Sequence, residues 1–279
     1  MKKGYFYEYL PEHIHIKKNY SNFATNSTFH LHNSFEIYLF LKGDVNYWVE
    51  KSVYHLKRGT LLIINNQEIH RVVNPSAKDY ERLLIHFHPQ FVELFNTDNT
   101  NLLSCFTNRE KGQNNAILLS DRQMDIFISL VKKLSDNLHN KKYGSDVLSR
   151  NYLVELLVFI NTLYQQNKDF LVQFTLSRRL YDILTFIESH LSEDLSLDKI
   201  SHHFSMDKSY LGRLFKKETG STIYNYILLK RISLAKQLLS EGKNVSETCS
   251  LSGFNDYSNF IRTFKKITGS SPSHYNTHI

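Results

Sequence analysis

The chain has 279 residues, 41% of them hydrophobic, and a formal net charge of +7; that is room for about two domains with proper cores and too apolar for wholesale disorder. Its two cysteines, Cys105 and Cys249, exclude a disulfide framework or a thiolate metal cage. No segment approaches the roughly 20 apolar residues of a membrane span, and the opening MKKGYFYEYLPEHIHIKKNY lacks the continuous apolar core of a signal peptide, so a soluble, cytoplasmic protein without membrane partners is expected.

The first half reads as strands. Short runs rich in β-branched and aromatic residues recur at Phe35 to Leu41, Val45 to Val49, Thr60 to Ile64 and Arg82 to Phe87. Lys42-Gly43-Asp44 and Lys57-Arg58-Gly59 supply turns between them, and this spacing predicts a compact barrel or sandwich. Strands give way to helices near residue 120, where Ser120 can cap a helix to about His139 with Met124, Phe127, Leu130, Val131 and Leu134 as its apolar stripe. A second helix is predicted from about Ser145 to Tyr164. Its centre, LVELLVFI, is apolar almost all round, so it is either central in its domain or part of a dimer interface. Residues 166–177 read as a linker between a domain at 1–165 and another at 178–279.

Beyond the linker the pattern is one of short helices. They are predicted at Arg178 to His190, at Leu197 to His203 behind Ser196, and from the cap Asp207 to about Glu218, where Gly220 ends the turn. A longer helix follows from Ile223 to Ser240, and then the scheme returns: Val245 to Leu251, a turn at Ser252 to Asn255, Asp256 to Thr268 ended by Gly269, and a short helix opening at Pro272. The stretch SYLGRLFKKETGSTIYNY, starting at Ser209, recurs 49 residues later as SNFIRTFKKITGSSPSHY, with 9 of 18 positions identical. Two copies are too few for a solenoid, so they are two small modules with one shared task.

In each copy Leu211, Leu214 and Phe215, or Phe260 and Phe264, form a stripe to be buried. The opposite faces carry Lys208, Ser209, Gly212, Arg213 and Lys217, and Tyr257, Ser258, Asn259, Ile261, Arg262 and Lys266. A short helix, a tight turn and a second helix with a polar, Arg-bearing face fit a DNA major groove. The connecting helix spans roughly 27 Å at ~1.5 Å per residue; with the modules' own widths the two faces come about one B-DNA turn apart, ~34 Å. Arg213 and Arg262 are then suited to bidentate contact with guanine, Ile261 to a thymine methyl, and Lys216, Lys217, Lys265 and Lys266 to phosphates. From Arg178 onward there are 14 basic and 10 acidic residues, a balance compatible with a polyanion.

From about Arg178 to Tyr275 the chain closely resembles the DNA-binding domain of AraC/XylS-type transcriptional regulators. The most specific part is SGFNDYSNFIRTFKKITGSSPSHY, with Gly253-Phe254, Ser258, Phe260, Arg262, Phe264-Lys265-Lys266, Gly269, Pro272 and Tyr275 in place. It departs from the family at Gly212, where relatives often carry a contacting side chain, and at Asn276, where an arginine is usual. The resemblance implies double-stranded promoter DNA as partner, a homodimer, RNA polymerase as a further partner, and an activator of transcription rather than an enzyme.

Earlier in the chain, FHLHNSFEIYLFLKG and GTLLIINNQEIHRVVN place His30, His32, Glu36 and His70 at the spacing of cupin metal motifs, with Asn65 and Gln67 in place of the usual proline and second glycine. Such a set can form the imidazole–carboxylate shell of a Zn, Fe or Mn site. The region also resembles the cupin-like sensor domain that commonly precedes this DNA-binding domain and often keeps such residues without a metal. On that resemblance His30, His32, Glu36, Tyr38 and His70 bind a small polar effector such as a sugar, with no metal or cofactor. The fold expected is two-domain α+β: a cupin-like β-barrel with trailing helices, then an all-α domain of two helix-turn-helix modules joined by a long helix. The alternative is a metal-dependent cupin enzyme with a helical assembly domain, for which a second Arg-bearing face has no use. No Ser-His-Asp or Cys-His constellation is evident.

Overall fold

A computed structural model describes residues 7, 8, 10, 13–75, 79–140, 142–166 and 176–275. Most of the expected linker, 167–175, lies outside the described residues, as does Asn276. The first part holds strands β1 (Tyr7–Glu8), β2 (Ile14–Ser21), β3 (Thr25–Asn26), β4 (Leu31–His32), β5 (Phe35–Lys42), β6 (Asn46–Val49), β7 (Ser52–His55), β8 (Thr60–Ile64), β9 (His70–Asn74), β10 (Tyr80–Phe87) and β11 (Ala116–Leu118). Among the described residues they form a five-stranded sheet ordered β11-β8-β5-β10-β2, a four-stranded sheet ordered β3-β9-β6-β7, and a short parallel pair of β1 with β4. The cupin-like β domain is therefore two antiparallel sheets; the ladders do not close into one barrel.

Alternation along β5 sorts its side chains between two cores. Phe35, Ile37 and Leu39 join Leu61, Ile63 and Ile85 on the side covered by helices. Tyr38 and Phe40 turn the other way, to Tyr47, Leu62, Ile64 and Tyr80 between the sheets. Each such fully buried aliphatic side chain contributes about 1.5–3 kcal/mol. β2 is not among the strands expected from the sequence because Lys17-Lys18 interrupt its apolar alternation; it is the edge strand beyond β10, so those lysines stay in solvent.

After the short helices α1 (Gln90–Glu93) and α2 (Ser104–Thr107), α3 (Asp121–Leu138) and α4 (Ser145–Gln166) pack on the five-stranded sheet. Ser120 and Gln123 form a reciprocal capping box at the start of α3. The apolar centre of α4 is divided: Leu153, Leu156, Leu157 and Ile160 are buried, whereas Val158 is 46% exposed. Among the described residues no helix is long and apolar enough to cross a membrane.

The helical part comprises α5 (Arg178–Ser189), α6 (Leu197–His203), α7 (Lys208–Thr219), α8 (Ile223–Ser240), α9 (Val245–Leu251), α10 (Tyr257–Thr268) and α11 (Pro272–Tyr275). Asp207 and Asp256 cap α7 and α10 by accepting from the backbone N–H three residues on. Gly220 and Gly269 end the two helices in the left-handed conformation. Thr219 and Thr268 then close each end identically. Their hydroxyls donate to the carbonyls of Phe215 (2.7 Å) and Phe264 (2.9 Å) and accept from the N–H of Ser221 and Ser270. Part of the repeated text therefore builds the fold: Phe, Thr, Gly and Ser shape each module, leaving Ser209, Arg213, Lys216 and Lys217 and their counterparts outside.

The two parts share a core. Phe29, Leu31, Trp48, Val53 and Ile69 of the β domain belong to the same buried apolar cluster as Phe215, Tyr226 and Leu229 of the helical part.

Candidate DNA-reading helices and a buried polar cluster

α7 and α10 are the second helices of the two helix-turn-helix pairs. Their first turns expose Lys208, Ser209, Tyr257, Ser258 and Asn259, and further along Arg213, Lys216, Lys217, Arg262, Lys265 and Lys266 are exposed as well. Lys208 is paired with Asp198 of α6. Ile261 is half-buried and packs against the core cluster, so less of it is available to meet a base than the helical spacing alone implied. The tie between the modules is α8. Its Arg231 donates to the carbonyls of Leu191 (3.0 Å) and Glu193 (2.6 Å), which anchors the connecting helix to the α5–α6 turn.

In the β domain, β5, β9, β10 and the segment around β4 bring imidazoles around one carboxylate. Oε2 of Glu36 lies 3.0 Å from Nε2 of His32, 3.0 Å from Nε2 of His86 and 3.6 Å from Nε2 of His70. Its Oε1 accepts from the Tyr47 hydroxyl at 2.9 Å. Burial alone would raise the Glu36 carboxyl, yet the surrounding imidazoles of His32, His70 and His86 outweigh it and hold the group well below the usual carboxylate range. Desolvation pushes His30 down to about 3 and His32 to about 4, whereas at His70 the Glu36 carboxylate overcomes desolvation and raises the ring.

The five expected effector-site residues thus gather in one region, with different roles. His32, Glu36 and His70 form the centre; His30 stands behind His70, ring centroids 4.3 Å apart, with its Nδ1 turned to the Thr28 carbonyl. Tyr38 bonds the Tyr80 hydroxyl and packs edge-on to Tyr47. Phe35 faces the helices, and Phe29 and Trp48 face the helical part of the chain. His86 and Tyr47 join these five at Glu36. His86 stands opposite Glu36 in the β5–β10 ladder; the alternating LLIHF of β10 is the signal for it, but only with the strand register in hand.

The cluster adjoins the junction of the two parts. Lys236 of α8 is buried and donates to the backbone carbonyls of His32 (3.2 Å) and Asn66. Ser233 donates to the Gln67 carbonyl at 2.5 Å. Lys230 pairs with Glu50 of the β domain and, at 3.0 Å, with Glu188, which also accepts from Lys51 at 2.9 Å. Phe29 meets Tyr226 edge-on, 5.6 Å between centroids.

Comparison with known proteins matches residues 10–148 to the AraC-like ligand binding domain and residues 200–278 to a helix-turn-helix domain. The chain belongs to the AraC/XylS-type transcriptional regulators. The regulator is 26% identical over 253 residues to the probable transcriptional regulator LumQ of Photobacterium leiognathi, covering 90% of this chain and 92% of that one. It is 23% identical to an uncharacterized HTH-type transcriptional regulator of Staphylococcus aureus over 87% of this chain, which spans only 31% of that longer relative. Among solved structures, ToxT of Vibrio cholerae is similar at 12% identity and a TM-score of 0.41, covering 96% of this chain and 99% of that one.

Proposed function

We propose that this AraC-type regulator reads promoter DNA with α7 and α10 in successive major grooves, Arg213 and Arg262 contacting bases and the lysine pairs contacting phosphates. The observation that carries it is the outward placement of both arginines at the same point of two modules whose buried repeat positions are spent on the fold. The division at 1–165, 166–177 and 178–279 belongs to this reading, as do a cytoplasmic location, a homodimer and contact with RNA polymerase as an activator. Arg213→Ala or Arg262→Ala is expected to cost about 1–3 kcal/mol on the cognate site and to relax preference at a few base pairs. Replacing Lys216, Lys217, Lys265 or Lys266 weakens binding to all sequences evenly. Fluorescence anisotropy on cognate and random duplexes measures both; equal losses on the two duplexes for the arginine variants would remove the groove assignment.

The β domain is proposed to sense a small effector, with the polar cluster coupled to the DNA-reading part through α8. A sugar is the finer form of this reading, supported by the capacity of imidazole, carboxylate and phenol groups to bond hydroxyls. His32, Glu36, Tyr38, Tyr47 and His70 are each buried and their polar groups meet one another, so a sugar has to open the cluster before it binds. Thermal shift of the full chain against sugars and other polar metabolites tests the point, since a ligand of the native state raises its stability.

A further inference from the structure

In the Glu36 cluster two histidines face one carboxylate with their other ring nitrogens already committed to backbone carbonyls. Nδ1 of His32 is 2.6 Å from the Ser34 carbonyl oxygen, and Nδ1 of His70 is 2.9 Å from that of Glu68. A carbonyl oxygen only accepts, so each Nδ1 carries a ring proton, which leaves Nε2 as the nitrogen of each ring that faces into the cluster. Both Nε2 atoms face the same oxygen of Glu36. Nε2 of His70 is buried with no hydrogen-bond partner. Acceptors packed against a buried carboxylate repel one another unless a positive centre lies among them.

We propose that His32, Glu36 and His86, with His70 as fourth ligand, bind one divalent transition-metal ion of the Zn2+ class. The first three already place their ligand atoms within 4.8 Å of one another. Ligand atoms held tetrahedrally at about 2.0–2.1 Å from a metal lie about 3.3–3.4 Å apart; Nε2 of His32 and of His86 are each 3.0 Å from Oε2 of Glu36, and Nε2 of His70, outside the close group of three, is 3.6 Å from it and has to draw in. Three imidazoles and one carboxylate are the borderline ligand set that such an ion takes. The carbonyls of Ser34 and Glu68 fix the tautomers of two of the rings in the manner of metal-bound histidines. This set differs from the one named by the sequence spacing: His30 stands outside it and His86, from β10, enters. The site stands whether or not α7 and α10 read DNA.

The test is titration of the full chain, stripped with a chelator and dialysed, with Co2+ and then Zn2+. Expected are about one Co2+ per chain with the visible absorption of a tetrahedral ion, displacement by Zn2+, and a raised Tm with either metal. His86→Gln is expected to weaken Co2+ binding at least about tenfold, whereas His30→Ala leaves it within about threefold. Circular dichroism of the metal-free His86→Gln protein separates loss of a ligand from loss of the fold, and the wild-type stoichiometry and spectrum do not depend on any variant. Neither an absorption band nor a Tm shift in the wild type overturns the site; binding that survives His86→Gln and is lost in His30→Ala overturns this ligand set.

Discussion

At single positions, backbone space decides what each glycine of the helical part is for. Gly253 has a φ of +83°, and a Cβ placed there would lie 1.9 Å from the Leu191 carbonyl oxygen, the same oxygen that accepts from Arg231. Gly253→Ala is expected to destabilise the helical part by at least about 2 kcal/mol, read from urea unfolding of the full chain. Gly212 is the opposite case: it lies inside α7, and nothing stands within 4 Å of the point a Cβ would occupy. Gly212→Ala should therefore stabilise by about 0.5–1 kcal/mol in the same measurement, because the helix interior loses less chain entropy with alanine. A neutral or destabilising result there would mean that α7 is constrained by something other than its own helix.

Among the elements, α8 carries the most demands, joining the two modules on one side and the β domain on the other. Desolvation, with the nearby Lys111 ammonium adding to it, lowers the Lys236 amine from its usual value to about 7. The sign follows directly. Between pH 7 and 10.5 the unfolded chain holds a proton on this lysine that the folded chain lacks, so its contribution to stability grows as pH rises through that window and is lost toward neutrality. Lys236→Met removes this dependence at little cost in packing, since the methionine fills a similar volume without a buried amine. The check is Tm of wild type and Lys236→Met at about pH 7 and about pH 9; an unchanged pH slope in the variant would place the proton elsewhere. Lys230 behaves differently. Burial lowers its amine, but Glu50 and Glu188 outweigh that and raise it, so it stays charged across this range.

For the whole molecule, several apolar side chains of α3 and α4 remain exposed. Ile126, Ile128, Val147, Leu148 and Val158 are each at least 40% exposed on these two helices, while the opposite stripe is packed on the sheet. The apolar run of α4 thus serves its own domain, with Val158 its exposed apolar residue, and exposed apolar side chains of this kind can pair protomers. The full chain is expected to sediment as a dimer at tens of micromolar, and Val158→Lys to shift it toward monomer. Pairing would place four reading helices on one promoter and multiply affinity through effective concentration. Sedimentation as a monomer with and without the substitution would leave α3 and α4 as cover for the sheet alone.

What could be read from the sequence follows the range of the forces involved. The bounds of α6, α8 and α9, the caps at Ser120, Ser196 and Asp207, and the stops at Gly220 and Gly269 coincide with those expected. Asp256, expected as the first helical residue, is instead the cap of α10. Capping, the left-handed turn and helical periodicity act over a few residues, so their signals are written next to where they act. The doubled module was legible for the same reason, as a repeat of local text. Register and docking are different, because their partners are far apart in the chain. That Glu36 stands opposite His86, 50 residues on, depends on how β5 and β10 align, and a slip of one residue would have turned either side chain to the helices. That Lys236 reaches the carbonyl of His32 depends on two separately folded parts meeting along α8. Local chemistry wrote the helices into the sequence, and only the packing of distant segments could choose which histidines meet.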